Sequence, residues 1–523
     1  MPDERRRGAT AAWRAVAGAR DTIVALATPV GRGAVALVRV SGPDADAVAG
    51  RVLRPWPTAD RVATLCAVRD DASGELLDRA LATRFAGERS YTGEPMVEVS
   101  THGGLAVPAA VVAAFVAAGA REAGPGEFTR RAVLNGKLDL VQAEAVGDLI
   151  DAGSAGMRRA ALAQLDGGLS RRVDALREGL LHVEALIAYD IDFPEEDDGA
   201  LAAGRVERAC DDALRQLEAL LAGAAAGELA REGAVVVIAG PPNAGKSSLF
   251  NALVGRARAL VTDVPGTTRD AVEAVVDAGP WPLRLVDTAG LRATDDVIER
   301  LGIEVSERYL GAAQVVLACG ATAAELADAV RRVRAVTSAP VVAVRTKADL
   351  SDGARAGAGG PPGQTIVPNE AAGGTGSSRG GAEARAGGPP AGTIVPNERA
   401  GGSESSPEGA RPRGAAAAGP LAVSAERGEG LRALLDAVVA VVGAAAGAST
   451  EVPLVTRARQ RRALEEARAE LVDFRAAWTE GGLPAPVAAV HLRSAVLALE
   501  TLIGEVGTED VLDRVFAAFC VGK

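Results

Sequence analysis

The sequence predicts a mixed architecture: an N-terminal α/β domain, an all-α helical bundle, and a second α/β domain with a mostly parallel sheet set into that bundle. Three observations predict it. Residues 234–253, AVVVIAGPPNAGKSSLFNAL, read as a strand buried on both faces, a glycine-rich turn and a helix start. Apolar residues recur at helical spacing through 126–221 and again through 456–503, on either side of that unit. Between residues 21 and 104, short β-branched segments alternate with glycine-rich turns.

Composition narrows the class. A chain of 523 residues is several domains long. It is 48% hydrophobic but only 3% aromatic, so its cores are built from small aliphatic side chains. The net charge of −11 excludes a bulk nucleic-acid coat and confines any RNA contact to a local basic face. Cys66, Cys210, Cys319 and Cys520 are far apart with no C-x-x-C, which argues against a disulfide framework or a zinc site. No apolar run approaches a membrane span, and the basic start MPDERRRGATAAWRAVAGAR lacks the apolar stretch of a signal peptide. The expectation is a soluble, cytoplasmic protein.

In chain order, residues 1–20 read as a solvated extension and residues 21–120 as a small α/β domain. In YTGEPMVEVSTHGG, Val97 and Val99 alternate with Glu98 and Ser100, which places Glu98 on the face opposite the valines. The Ala/Val run 105–120 is expected to be a buried helix. The first part of the helical domain is assigned to 121–225, the inserted domain to 226–445, and the second helical part to 446–523. Arg457, Arg459, Arg461 and Arg462 form a basic stripe, usually a solvated face and here also the best local candidate for an RNA contact.

The inserted domain carries phosphate chemistry in order along the chain. Gly240–Ser247 fits G-x-x-x-x-G-K-[ST]: the backbone N–H groups of Asn243, Ala244, Gly245, Lys246, Ser247 and Ser248 can turn toward a phosphate at a helix N-terminus. Lys246 then reaches the β- and γ-phosphates, and the Ser247 hydroxyl holds Mg2+. VTDVPGTTRD offers Thr262, Asp263, Val264, Pro265, Gly266, Thr267 and Thr268 on a switch loop, where one of the two adjacent threonines can bind Mg2+ and sense the γ-phosphate; Thr268 is assigned that role. Asp287, Thr288, Ala289 and Gly290 follow a strand, so that Asp287 backs the metal and the Gly290 N–H faces the γ-phosphate. Thr346, Lys347, Ala348 and Asp349 follow another strand; Asp349 accepts from the N1–H and 2-amino group of guanine, a donor pair that adenine lacks. Ser424, Ala425 and Glu426 stand where a loop backs the base. This is the pattern of a P-loop GTPase.

Residues 352–418 interrupt the domain with a Gly/Ala/Pro/Ser-rich segment holding a near-duplicate, GGPPGQTIVPNE and GGPPAGTIVPNE, 28 residues apart. Such a composition buries too little apolar surface to offset chain entropy, so it is expected to be a disordered insertion.

Together, TIVALATPVGRGAVALVRVSG, YTGEPMVEVSTHGG, PGEFTRRAVLNGKLDLVQAEAVGDLIDA, IDFPEED, GPPNAGKSSLFNAL, VTDVPGTTRD, DTAGLR and the terminal FCVGK resemble the MnmE (TrmE) tRNA modification GTPases over about residues 21–350 and 420–523. The resemblance implies a homodimer joined through folate-binding N-terminal domains, in complex with the FAD-carrying flavoprotein MnmG (GidA). It implies that the complex installs a (carboxymethyl)aminomethyl group on C5 of the wobble uridine of certain tRNAs. The implied one-carbon donor is 5,10-methylenetetrahydrofolate or 5-formyltetrahydrofolate, held by residues matching Arg39, Glu98, Lys137 and Lys523. The family also places a K+ ion where many GTPases use an arginine finger, with ligands matching Asn243, Thr262, Val264 and Thr267. Glu299 matches the residue that orients the attacking water.

Two departures stand out: the guanine signature begins with Thr346 in place of Asn, and the 352–418 insertion separates the two base loops. The Thr346 hydroxyl can still tie its loop to the phosphate loop. At the C-terminus, Phe519 is expected to anchor a tail that presents Cys520 and Lys523; Cys520 is either a nucleophile toward a one-carbon adduct or a small packing residue. A regulatory or ribosome-assembly GTPase is the competing function, and the nucleotide domain alone does not separate the two.

Overall fold

A computed structural model describes residues 21–192, 205–256, 272–279, 281–287, 309–350, 419–446, 455–480, 485–504, 512, 515–516 and 519–522. The first sheet contains β1 (Ile23–Leu26), β2 (Val35–Ser41), β3 (Leu53–Arg54), β4 (Thr64–Arg69), β5 (Leu76–Phe85), β6 (Met96–His102) and β7 (Arg121–Glu122), in the order 3-4-5-6-2-1-7. Val24, Val38, Val40, Val97 and Val99 are fully buried on one face, under α1 (Ala45–Val52) and α2 (Ala106–Ala117). The period-2 alternation then puts Arg39 and Glu98, paired across β2 and β6, on the other face.

Two expectations need correction here. The Ala/Val run is a helix, but it is not buried all round: Val111, Ala114 and Phe115 meet the sheet while Val116 is 38% exposed. Among the described residues nothing covers the outer side of α2, and alanine and valine tolerate that exposure cheaply. The sheet also runs past residue 120, because β7 pairs in parallel with β1.

The bundle begins with α3 (Glu127–Leu134), α4 (Leu140–Ile150), α5 (Ala155–Leu165), α6 (Gly168–Asp192), α7 (Arg205–Ala222) and α8 (Ala224–Glu232). Asp139 and Gln142 close a reciprocal capping box at the start of α4. Helix α8 straddles the boundary expected at 225 and leads into the second sheet one residue after its cap.

That sheet has β8 (Ala234–Ala239), β9 (Val272–Asp277), β10 (Pro282–Asp287), β11 (Val315–Gly320), β12 (Val341–Arg345) and β13 (Leu421–Ala422), ordered 13-12-11-8-10-9. Every pairing is parallel except β9 with β10. Helices α9 (Lys246–Arg256), α10 (Ala323–Val336) and α11 (Leu431–Ala446) accompany it. At the domain junction, the Asp277 carboxylate accepts from the Ala155 N–H at 3.1 Å, so a strand end caps α5.

The chain then returns to the bundle as α12 (Ala458–Glu480) and α13 (Ala485–Ile503). Leu464, Leu471 and Phe474 of α12 and Leu492, Val496 and Leu499 of α13 share one core with Leu169, Leu176, Leu180 and Leu217. A polar seam locks the return. Glu144, 2% exposed, accepts from Arg459 at 2.9 and 3.1 Å and from the Gln460 amide at 2.9 Å. Gln164 donates to the Thr456 hydroxyl at 2.6 Å. Asp148 binds Arg457 at 2.6 Å and Arg231 at 2.9 Å.

The basic stripe is therefore corrected as an RNA-facing surface. Arg457 and Arg459 are turned inward onto Glu144 and Asp148, and Arg461 pairs with Glu228 at 3.0 Å. Arg462 alone of the four is exposed and has no partner among the described residues. Truncating Arg459→Ala leaves a buried carboxylate without its counter-charge and is expected to cost about 3–5 kcal/mol. Arg462→Ala is expected to stay within about 0.5 kcal/mol. Urea unfolding of the two variants checks the contrast.

Candidate functional site

Of the residues that the sequence assigns to nucleotide binding, the described ones lie along the edge of the second sheet where its parallel strands end, the usual ligand crevice of such sheets. Strand β8 ends at Ala239 and the phosphate loop begins at Gly240 with φ 153°. A Cβ at Gly240 would sit 2.4 Å from the Cys319 carbonyl oxygen, so glycine is required by the crossing with β11. Asn243 and Gly245 take left-handed φ of 60° and 80°, the conformations that curl a loop around an anion. Lys246 is 7% exposed and its ammonium donates to the Gly240 and Pro241 carbonyls at 3.0 and 2.9 Å, which closes the loop on itself. Ala244 is buried, while Ser247 and Ser248 are exposed on the first turn of α9. This cradle fits a nucleotide phosphate with its Mg2+.

The other described loops meet the cradle. Asp287, 3% exposed, ends β10 in register with Ile238 of β8. The Thr346 hydroxyl, buried, donates to the Ala244 carbonyl at 2.6 Å and ties the guanine signature to the phosphate loop. Lys347 has a left-handed φ of 54°, and the Ala348 N–H reaches the Val423 carbonyl at 3.2 Å, which joins the two base loops. Asp349 is half-buried. Ser424 is fully buried, its hydroxyl accepts from the Arg427 N–H at 3.1 Å, and Ala425 and Glu426 lie progressively more exposed after it. Thr262, Asp263, Val264, Pro265, Gly266, Thr267, Thr268, Thr288, Ala289, Gly290 and Glu299 lie outside the described residues, as does the 352–418 insertion. Beneath the loop, burial pushes the Cys319 thiol up to about 12, so it packs as a small apolar group.

A second polar site lies on the face of the first sheet opposite the valine core, beside the buried cluster of Ile23, Ala25 and Phe128. Arg39 donates from Nε and Nη2 to Glu98 Oε1 at 3.0 and 2.7 Å. Its guanidinium also lies over two rings, 5.4 Å from Tyr91 and 5.7 Å from Phe128. The Tyr91 hydroxyl is 2.9 Å from that of Thr129. Lys137 stands apart: it is exposed, donates to the Glu88 carbonyl at 2.8 Å and packs against Gly93. Lys523 lies outside the described residues. Cys520 is exposed, and its carbonyl accepts from the Gly126 N–H at 3.2 Å. Burial would raise the Glu127 carboxyl next to it, but Arg121, the Gly124 N–H and Arg131 hold it below its usual range. Sequence reasoning missed Tyr91 and Phe128; in a chain with three tyrosines and eight phenylalanines, their rarity was the available signal.

A cleft of about 520 Å3 between the bundle and the second sheet takes in none of the phosphate-loop residues. Two of its ion pairs, Arg231 with Asp148 and Arg284 with Glu273, close on themselves.

Residues 22–137 match the family model described as the GTP-binding protein TrmE N-terminus, and residues 140–520 match the MnmE helical domain. The chain is 41% identical over 511 residues to the tRNA modification GTPase MnmE of Methylobacterium radiotolerans, covering 96% of this chain and 99% of the relative. The protein of the same name from Symbiobacterium thermophilum is 39% identical over 514 residues, 96% of this chain and 99% of its own. That of Thermus thermophilus is 50% identical over 301 residues, 57% of this chain and 69% of its own.

Thr346→Val keeps the shape of the tie between the two loops and removes its hydrogen bond, leaving the buried Ala244 carbonyl without that donor. An unsatisfied buried acceptor costs about 1–3 kcal/mol. GDP affinity is expected to fall roughly tenfold or more, by about 1.4 kcal/mol per decade, in equilibrium titration with a fluorescent guanine nucleotide.

Proposed function

Because the chain belongs to the MnmE family of tRNA modification GTPases, we propose that it is the GTP-hydrolysing component of a complex that adds a (carboxymethyl)aminomethyl group to C5 of the wobble uridine of certain tRNAs. The observation that carries this reading is the convergence of the phosphate loop, Asp287 and both base loops on one sheet edge, joined by the Thr346–Ala244 hydrogen bond. A regulatory GTPase has no use for the separate Arg39–Glu98 site on the first sheet, which favours a role in the base chemistry itself.

In this reading the N–H groups from Asn243 to Ser248 hold the phosphates, and Lys246 neutralises the β- and γ-oxygens. Ser247 and Thr268 hold Mg2+, and K+ at Asn243, Thr262, Val264 and Thr267 supplies the positive charge an arginine finger gives elsewhere. Asp349 selects guanine, with Ser424, Ala425 and Glu426 behind the base. Glu299 orients the attacking water. Arg39 and Glu98 offer donors and a carboxylate to a tetrahydrofolate, with Lys137 and Lys523 as the further folate residues implied by the family resemblance and Cys520 as the candidate nucleophile. Leu65 and Leu81, cross-strand partners 62% and 49% exposed at the β4–β5 end of the face that bears Arg39 and Glu98, support a homodimer through this domain. The FAD-bearing flavoprotein MnmG is the proposed partner, and tRNA the substrate. Among the described residues, no helix is long and apolar enough to cross a membrane.

Mass spectrometry of wobble uridines in a strain lacking this protein tests the proposal. Loss of the modified nucleoside is expected, with recovery by the intact chain and none by Lys246→Ala; an unchanged nucleoside profile overturns it. The K+ assignment has its own test. Removing one preorganised transition-state donor costs about 10²–10³ in turnover, and Asn243→Ala is expected to lose K+ stimulation on that scale while still binding nucleotide. Equal GTP turnover in Na+ and K+ by the unmutated chain refutes the assignment.

A further inference from the structure

We infer that Phe519 is a positioning residue for the Arg39–Glu98 pair, acting through the first turn of α3. The C-terminal tail is docked by backbone and by shape. Val521 forms an antiparallel bridge with Pro125, and the Gly126 N–H donates to the Cys520 carbonyl at 3.2 Å. Two glycines accept the tail, and one within the tail lets it approach β1, each where a side chain would collide or crowd. A Cβ at Gly126 would lie 2.9 Å from Phe519 Cβ, one at Gly147 would lie 3.3 Å from Phe519 Cζ, and one at Gly522 would lie 2.2 Å from the Leu26 carbonyl oxygen. Phe519 thus fills the gap between the start of α3 and the middle of α4, with the Phe516 ring tilted against it at a centroid distance of 5.4 Å.

The same turn of α3 is the floor of the Arg39 site. Gly126 is its N-cap, in the left-handed conformation at φ 65°. Two residues on, the fully buried Phe128 ring supports the Arg39 guanidinium, and Thr129 then holds the Tyr91 hydroxyl. Glu127 secures the side of the turn facing Arg121 and Arg131, and Phe519 secures the side facing α4. The far end of the tail reaches the same place: Gly522 lies against Leu26 and Ala27, and Leu26 is the cross-strand partner of Val38, the neighbour of Arg39. Removing the Phe519 ring therefore releases the tail and one wall of the turn that sets both aromatic supports of Arg39.

The functional half of this inference rests on the reading of Arg39 and Glu98 as a folate site. The test uses the full chain with Phe519→Ala and Phe519→Leu. It reads amide hydrogen exchange over residues 121–130, binding of 5-formyltetrahydrofolate by calorimetry, GTP turnover and the thermal midpoint. Phe519→Ala is expected to speed exchange over the turn and weaken folate binding about tenfold, with GTP turnover and thermal midpoint unchanged; Phe519→Leu, which refills most of the gap, recovers the affinity. Unchanged exchange, unchanged folate affinity, or a parallel fall in thermal midpoint and GTP turnover overturns the positioning role. If the unmutated chain takes up no folate, the folate reading itself fails, and the exchange measurement alone then decides whether Phe519 holds the turn.

Discussion

Glu144 is the constraint on which the rest of the molecule depends. A carboxylate 2% exposed is costly to desolvate, and it is tolerated because Arg459 and Gln460 supply three hydrogen bonds to its two oxygens. Those donors come from the far end of the chain. Helix α4 is therefore the reference element: Glu144 receives α12, Asp148 receives both α8 and Arg457, and Gly147 receives the tail. The apolar core between α6, α7, α12 and α13 supplies most of the attraction. The polar seam sets the register, because a slip of one residue would leave a buried charge unpaired.

The nucleotide domain is built on a different principle. Each of its loops is fixed by the strand that precedes it, and hydrogen bonds tie the loops to one another: Thr346 to Ala244, Ala348 to Val423. The threonine shows how the departure from asparagine is accommodated. Its one donor is spent on the Ala244 carbonyl at 2.6 Å, which preserves the tie between the two loops with a shorter side chain.

This difference explains what was legible in the sequence. The phosphate loop and the base loops were legible because their chemistry is local: residue type, spacing and a preceding strand suffice. Glu98 was legible because strict alternation along its strand puts it on the face opposite the valines. The inward turn of Arg457 and Arg459 was not, since their acidic partners lie more than 300 residues away in sequence and nothing local to α12 distinguishes a buried arginine from a solvated one. The aromatic support of Arg39 was hidden for the same reason, with Tyr91 and Phe128 contributed by a loop and a helix outside the strand that bears the arginine. Helix α2 misled in the other direction: a run of small apolar residues looks the same whether one face or all of it is covered.

The separation of Glu144 from Arg459 by 315 residues also sets a clock. A ribosome adding about 5–20 residues per second takes roughly 15–60 s to cover that distance. Through that interval the first helices of the bundle have emerged with half a core and an unpaired acid, while the first sheet is complete except for the tail. The inserted domain is made entirely within the wait and has every strand it needs. The nascent chain thus passes through a stage in which the nucleotide domain is whole and the bundle that carries it is not.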